Sequence, residues 1–143
     1  MHRTIYEKSV FIDAGAFIAL INSADANHEG AQSCIEAIRE RKLPIFISIV
    51  TIIETHKRIL FDVSYGHALQ FLEDIYDGNF IILRPDKEDE GEAKRIVKKF
   101  SDQNFTLGDA INFSLIKRSG IGKVFAFDYH YSLFGFAKIP PFC

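Results

Sequence analysis

At 143 residues the chain suits one compact domain, 1–143, and leaves no room for a second core. It carries 17 Lys and Arg against 19 Asp and Glu, a formal net charge of −2, which argues against a protein that coats nucleic acid by bulk electrostatics. With 48% hydrophobic residues, 14 Phe and no Trp, the core is expected to lean on Phe, Ile, Leu and Ala. Cys34 and Cys143 are the only cysteines and offer neither a disulfide framework nor a metal-ligand spacing, so a reducing cytoplasmic setting is expected. The opening stretch MHRTIYEKS lacks the apolar run of a secretory signal, and no apolar stretch is long enough to span a membrane.

Lys8 to Ile12 is a short apolar run that stops at Asp13, as a buried strand does. Ala16 to Ile21 reads as a brief apolar helical turn, and Ser23, Asp25 and Asn27 then punctuate the chain. Glu29 to Arg41 has helical spacing through Ala31, Cys34, Ile35 and Ile38. Pro44 opens a second strand, Ile45 to Ile49, and Thr51 is expected to begin the next helix. Ser64 starts another, with apolar positions at Ala68, Leu69, Leu72 and Ile75, closed by Gly78-Asn79. Phe80 to Leu83 is a third strand, and Pro85-Asp86 starts a strongly charged helix running to about Phe100. Thr106 starts a last long helix closed by Gly120, and Lys123 to Phe127 is a fourth strand ending at Asp128. The Phe-rich tail, Phe134 to Phe136 and Ile139 to Pro141, offers an edge strand. Strands alternating with helices along the whole length predict an α/β fold with a mainly parallel sheet.

Four carboxylates stand out within this frame. Asp13 and Asp128 follow apolar strands, and Glu54 and Asp109 fall in the first turns of helices opened by Thr51 and Thr106. In a parallel α/β sheet the helix N-termini lie over the same edge as the carboxyl ends of the strands, where such sheets place their ligands. Each residue also has a structural explanation. Thr51-x-x-Glu54 and Thr106-x-x-Asp109 have the form of capping boxes, and Asp13 and Asp128 suit turns. Taken together, crowded carboxylates repel one another and must protonate or bind a cation. Oxygen donors without Cys or His suit Mg²⁺ or Mn²⁺, and helix N-termini favour a phosphate. The chemistry best matched is phosphodiester hydrolysis.

With those residues in view, the chain resembles the PIN domain family over nearly its whole length. The resemblance rests on Phe11 to Leu20 around Asp13, Asp25 to Ala31, Thr51-Ile52-Ile53-Glu54, Phe105 to Ala110 and Val124 to Asp128, in that order and spacing. It implies a three-layer α/β/α sandwich with a parallel sheet, an acidic site for Mg²⁺ or Mn²⁺, and RNA as substrate. It further implies that Asp13, Glu54 and Asp109 hold the metal, with Asp128 assisting directly or through water and Thr106 helping to orient the site. Many small stand-alone members are toxins of the VapC kind, restrained by an antitoxin and often dimeric. The chain departs from the family's pattern at Ala14 and Gly15, where a hydroxyl or amide residue is common.

Near the motifs, Asp102, Asn112 and His130 read as structural or solvent-facing, and His28 as a turn or cap residue. Two basic stretches, Lys94-Arg95 with Lys98-Lys99 and Arg39 with Arg41-Lys42, read as solvated helix faces that are able to grip RNA phosphates. Phe134 and Phe136 read as core or dimer contacts. The competing functional reading is a PIN-like module with a weakened site that binds RNA or protein without cutting. A phosphatase or phospho-acceptor domain fits less well, because Gly15 stands where a haloacid-dehalogenase-like enzyme places its second Asp.

Overall fold

The computed structural model describes residues 8–140. Residues 1–7 of the N-terminal stretch, Pro141 of the tail and Cys143 lie outside those residues. Five short strands form one sheet: β1 (Val10–Ile12), β2 (Ile45–Ser48), β3 (Ile81–Leu83), β4 (Lys123–Phe125) and β5 (Lys138–Ile139). They lie in the order β3-β2-β1-β4-β5, and every neighbouring pair is parallel. Around them stand α1 (Ala14–Ile21), α2 (His28–Glu40), α3 (Ile49–Asp62), α4 (Tyr65–Asp77), α5 (Lys87–Lys99), α6 (Leu107–Ser119) and α7 (His130–Phe134).

Side-chain alternation along β1 divides the core into two layers. Val10 and Ile12 point into a cluster closed by Phe17, Ile38, Ile59 and Phe71 of α1 to α4. Phe11, between them, points to the other face and packs with Ile96, Phe113, Val124 and Tyr131 under α5, α6 and α7. All three β1 side chains are fully buried, as a central parallel strand requires. The arrangement is the expected α/β/α sandwich with a parallel sheet.

Several boundaries differ from the sequence reading. Helix α3 begins at Ile49, two residues before Thr51, because Ser48 takes the N-cap and its Oγ accepts the Thr51 amide at 3.0 Å. Glu54 therefore lies in the second turn and belongs to no capping box. Strand β4 ends at Phe125, which leaves Ala126 and Phe127 between it and Asp128. The tail does add an edge strand, but only Lys138–Ile139 pairs, in parallel with β4. Phe134 instead closes α7, a helix too short for its periodicity to be legible.

Helix α6 ends as expected, on Gly120 at φ 68°, a left-handed conformation that glycine adopts without penalty. Cys34 is fully buried on α2 and is disulfide-bonded, which overturns the expectation that the cysteines form no disulfide. No helix among the described residues is long and apolar enough to cross a membrane.

Candidate active site

The sheet order places β1 beside both β2 and β4, so the chain departs in opposite directions on either side of β1. Crevices at such switch points form outside the carboxyl ends of the strands. Asp13 leaves β1 at this point. Its backbone N–H donates to the Phe125 carbonyl at 3.1 Å, which ties it to the end of β4. Asp13 occupies the N-cap of α1, yet its side chain makes no capping hydrogen bond. Its Oδ1 accepts the Tyr131 hydroxyl instead, at 2.7 Å. The residue is only 9% exposed. Burial pushes its carboxyl pKa up, with Asp109 and Asp128 adding to the rise and the Tyr131 hydrogen bond opposing it.

Asp109 stands at the third position of α6 in a reciprocal capping box. The Thr106 amide donates to Asp109 Oδ2 at 3.1 Å, and the Asp109 amide donates to Thr106 Oγ1 at 3.0 Å. The structural explanation thus holds for Asp109, while only one carboxylate oxygen is engaged in the box. Asp128 initiates α7 through an Asx turn, its Oδ1 accepting the His130 amide at 2.9 Å. Glu54 is exposed on α3. Its pKa is raised, first by partial desolvation and then by the charges of Asp13 and Asp109, with Arg58 on the next turn offsetting part of the effect. Asp128 adds to the same rise. Asp13 and Glu54 thus each feel acids from other chain segments, Asp13 those of Asp109 and Asp128 and Glu54 those of all three aspartates.

Two residues here escaped the sequence reading. His130, read as structural or solvent-facing, has its Nδ1 3.4 Å from Asp128 Oδ1 and 3.7 Å from Asp109 Oδ2. That nitrogen is buried and makes no hydrogen bond. Its ring packs edge-on against Phe105, with centroids 5.0 Å apart, so the imidazole is wedged between the core and the two acids. Tyr131, the partner of Asp13, is 1% exposed. Both come from α7, and the available signal was the Asx-turn pattern Asp128-Tyr129-His130.

Asn112 is structural: it is buried, accepts from Ser48 Oγ at 2.5 Å and donates through Nδ2 to Thr51 Oγ1 at 3.0 Å. This polar triad ties the start of α3 to α6 and so sets Glu54 relative to Asp109. His28, expected as a turn or cap residue, is the first residue of α2, with Asn27 at the N-cap, and its side chain instead ties α2 to α1 through Nδ1 and the Ala19 carbonyl, 2.7 Å apart. Asp102 is solvent-facing and bonds Gln103.

The donor chemistry fits a hard divalent cation. Like charges are crowded at a partly dry site, and two of the four carboxyls have raised pKa values as a result. Among the described residues no three His, Cys, Asp or Glu side chains form a cage for one ion. Mg²⁺ seldom needs such a cage, since it keeps several waters and takes one or two carboxylates directly. At Gly15, where the family often has a polar side chain, an added Cβ would lie 3.8 Å from Asp13 Oδ2.

A sequence model of the PIN domain matches residues 10–137. The solved structure of VapC20 from Mycobacterium tuberculosis, a sarcin–ricin-loop-cleaving toxin, has a TM-score of 0.83 at 22% identity, covering 93% of this chain and 100% of that one. VapBC2 from Rickettsia felis, bound to a promoter DNA fragment, gives 0.68 at 11% identity over 91% and 96% of the two chains. FitAcB from Neisseria gonorrhoeae gives 0.65 at 14% identity over 92% and 97%. At these identities the likeness shows the fold. No curated protein matches the chain in sequence.

Proposed function

Because the chain belongs to the PIN domain family, we propose that it is a metal-dependent endoribonuclease, acting in the cytoplasm as the toxin of a toxin–antitoxin pair. The observation that carries this reading is the gathering of carboxylates from four segments at the sheet's switch point, where burial first and neighbouring charge second push up the pKa of Asp13 and Glu54. Asp13, Glu54 and Asp109 would hold Mg²⁺ or Mn²⁺, with Asp128 assisting directly or through water. The bound ion supplies neutralisation of phosphoryl charge and a more acidic water.

The protein's own groups prepare the site. Tyr131 fixes the Asp13 carboxylate through its 2.7 Å hydrogen bond. Thr106 caps α6 and fixes Asp109, while the positive end of that helix favours the phosphate of the RNA. The likeness to VapC20, a toxin, and to the VapBC2 and FitAcB structures supports restraint by a partner antitoxin. A homodimer is part of the same reading, and light scattering of the purified chain tests it.

The deciding experiment is cleavage of a mixed RNA pool by wild type and Asp13→Asn, each with Mg²⁺, Mn²⁺ or EDTA. Metal-dependent cutting by the wild type alone is the expected result. A second reading, an RNA- or protein-binding module that does not cut, is favoured by Ala14 and Gly15, which leave Asp13 without a polar neighbour on that side. No cutting with any metal, together with no Mn²⁺ binding by calorimetry, would overturn the nuclease reading and favour the second.

A further inference from the structure

Away from the carboxylates, a groove of about 510 Å³ runs between α5 and α6 and is closed at one end by α7. Its charged walls are Arg95 and Lys99 from α5 and Lys117 from α6, against a single carboxylate, Glu92. Three cations facing one anion make a local excess of positive charge in a chain whose net charge is −2. The half-buried rings of Phe134 and Phe136 also line it. Phe134 stacks on the buried Phe113 with centroids 4.6 Å apart, so this wall is anchored in the core.

The groove shares two elements with the candidate site, although none of the four carboxylates lines it. Helix α6 carries Asp109 in its first turn and Lys117 eight residues later, about 12 Å along the axis. Helix α7 starts at His130, beside Asp109 and Asp128, and ends at Phe134 in the groove. The basic residues are held in different ways. The Arg95 guanidinium donates to Glu92 Oε2 at 3.0 and 2.8 Å, and Lys99 Nζ lies 5.6 Å from the Phe100 ring centroid. Lys117 is exposed and makes no ion pair among the described residues. A nearby cation, Arg118, is already committed to the buried Asp89 at 2.8 Å and is not counted.

We propose that this groove is a backbone-binding track for single-stranded RNA, in which Arg95, Lys99 and Lys117 take phosphates flanking the one at the carboxylate site. The inference rests on the nuclease reading for the direction of the strand, but binding in the groove needs no cleavage. A positive track beside an acidic centre resolves an electrostatic difficulty. Four carboxylates repel a polyanion, and flanking cations recover the binding that the site itself opposes. The three residues sit on two rigid helices, so the strand meets a pre-set charge spacing rather than flexible loops.

The test separates binding from chemistry. Asp13→Asn provides a non-cutting background, titrated by anisotropy with a short fluorescein-labelled single-stranded RNA over a range of salt concentrations. On that background the groove triple Arg95→Gln/Lys99→Gln/Lys117→Gln is compared with a control triple, Lys87→Gln/Lys94→Gln/Lys98→Gln. The control removes the same charge from exposed positions of α5 outside the groove. Circular dichroism confirms that both are folded.

The groove triple is expected to weaken binding about tenfold and to flatten the log K against log salt slope by about 2, since each lost phosphate contact on a single strand is worth about 0.7. The control triple is expected to change the slope by well under half of that. Equal effects of the two triples overturn the proposal, as does an unchanged slope or an Asp13→Asn protein that binds no RNA. Groove-dependent binding by a wild type that never cuts refutes the nuclease reading and leaves the track standing.

Discussion

Asp89 gives the clearest quantitative test of how this fold is held together. It lies at the third position of α5, is 2% exposed, and its two oxygens accept four hydrogen bonds. Oδ1 takes Ser114 Oγ at 2.9 Å and Arg118 Nε at 3.1 Å, and Oδ2 takes Arg118 Nη2 at 2.8 Å and the Asp86 amide at 3.0 Å. One carboxylate thus caps its own helix and clamps α5 to α6 through a bidentate guanidinium. Burial alone would raise its pKa, but the hydrogen bonds from Arg118, Asp86 and Ser114 outweigh burial and hold it down to about 2, from an ordinary 3.8.

A carboxyl depressed on folding contributes stability above its unfolded pKa and loses it as the pH falls through the folded one. At 1.36 kcal/mol per unit, the depression contributes about 2 kcal/mol, nearly all of it lost between pH 5 and pH 2. Asp89→Asn keeps the size of the side chain and removes the charge. Urea unfolding at pH 7 should show a loss of about 2–3 kcal/mol, moderated because Arg118 is half exposed and regains water. At pH 2 the gap between wild type and variant should shrink by about 2 kcal/mol, because the wild-type carboxyl is then almost fully protonated in the unfolded chain and half protonated in the folded one. The same gap at both pH values would refute the reasoning, since it would mean that shape rather than charge holds the clamp.

Tyr131→Phe removes the hydroxyl that Asp13 accepts and should lower Mn²⁺ affinity and cleavage rate several-fold, while the melting temperature moves by only a few degrees. Calorimetry against a melting curve checks this. Asn112→Ala breaks the bonds to Ser48 and Thr51, whose hydroxyls keep only each other and the Thr51 amide, for a loss of about 1–2 kcal/mol in denaturant titration. Gly15→Ser should raise stability by about 0.5 kcal/mol, because Gly is a poor helix former. It should also tighten Mn²⁺ binding, since its Cβ fits 3.8 Å from Asp13 Oδ2 without a clash. Gly78→Ala should cost about 1–3 kcal/mol in the same titration, because the new Cβ collides with the Asp74 carbonyl.

Much of this protein was legible along the chain. Apolar runs bounded by Asp13, Pro44 and Gly78 marked the strands, and Ser64, Asp86, Thr106 and Gly120 marked helix ends, because caps and strand ends are set by neighbours in sequence. The parallel sheet followed from their alternation, and with it the edge on which the acids gather. Where two local signals compete, the chain alone does not decide between them. Ser48 and Thr51 both suit an N-cap, and only the burial of Thr51 against Asn112 decides for Ser48. The sequence could name four carboxylates, but not that Asp13 would decline to cap its helix and turn to Tyr131, more than a hundred residues away. Nor could it place His130 between Asp109 and Asp128, or bring Lys117 across from Arg95 and Lys99. These are contacts between helices on one face of the sheet. Their partners are chosen by how α5, α6 and α7 pack over β1 and β4, and that choice depends on side-chain volumes from every layer at once.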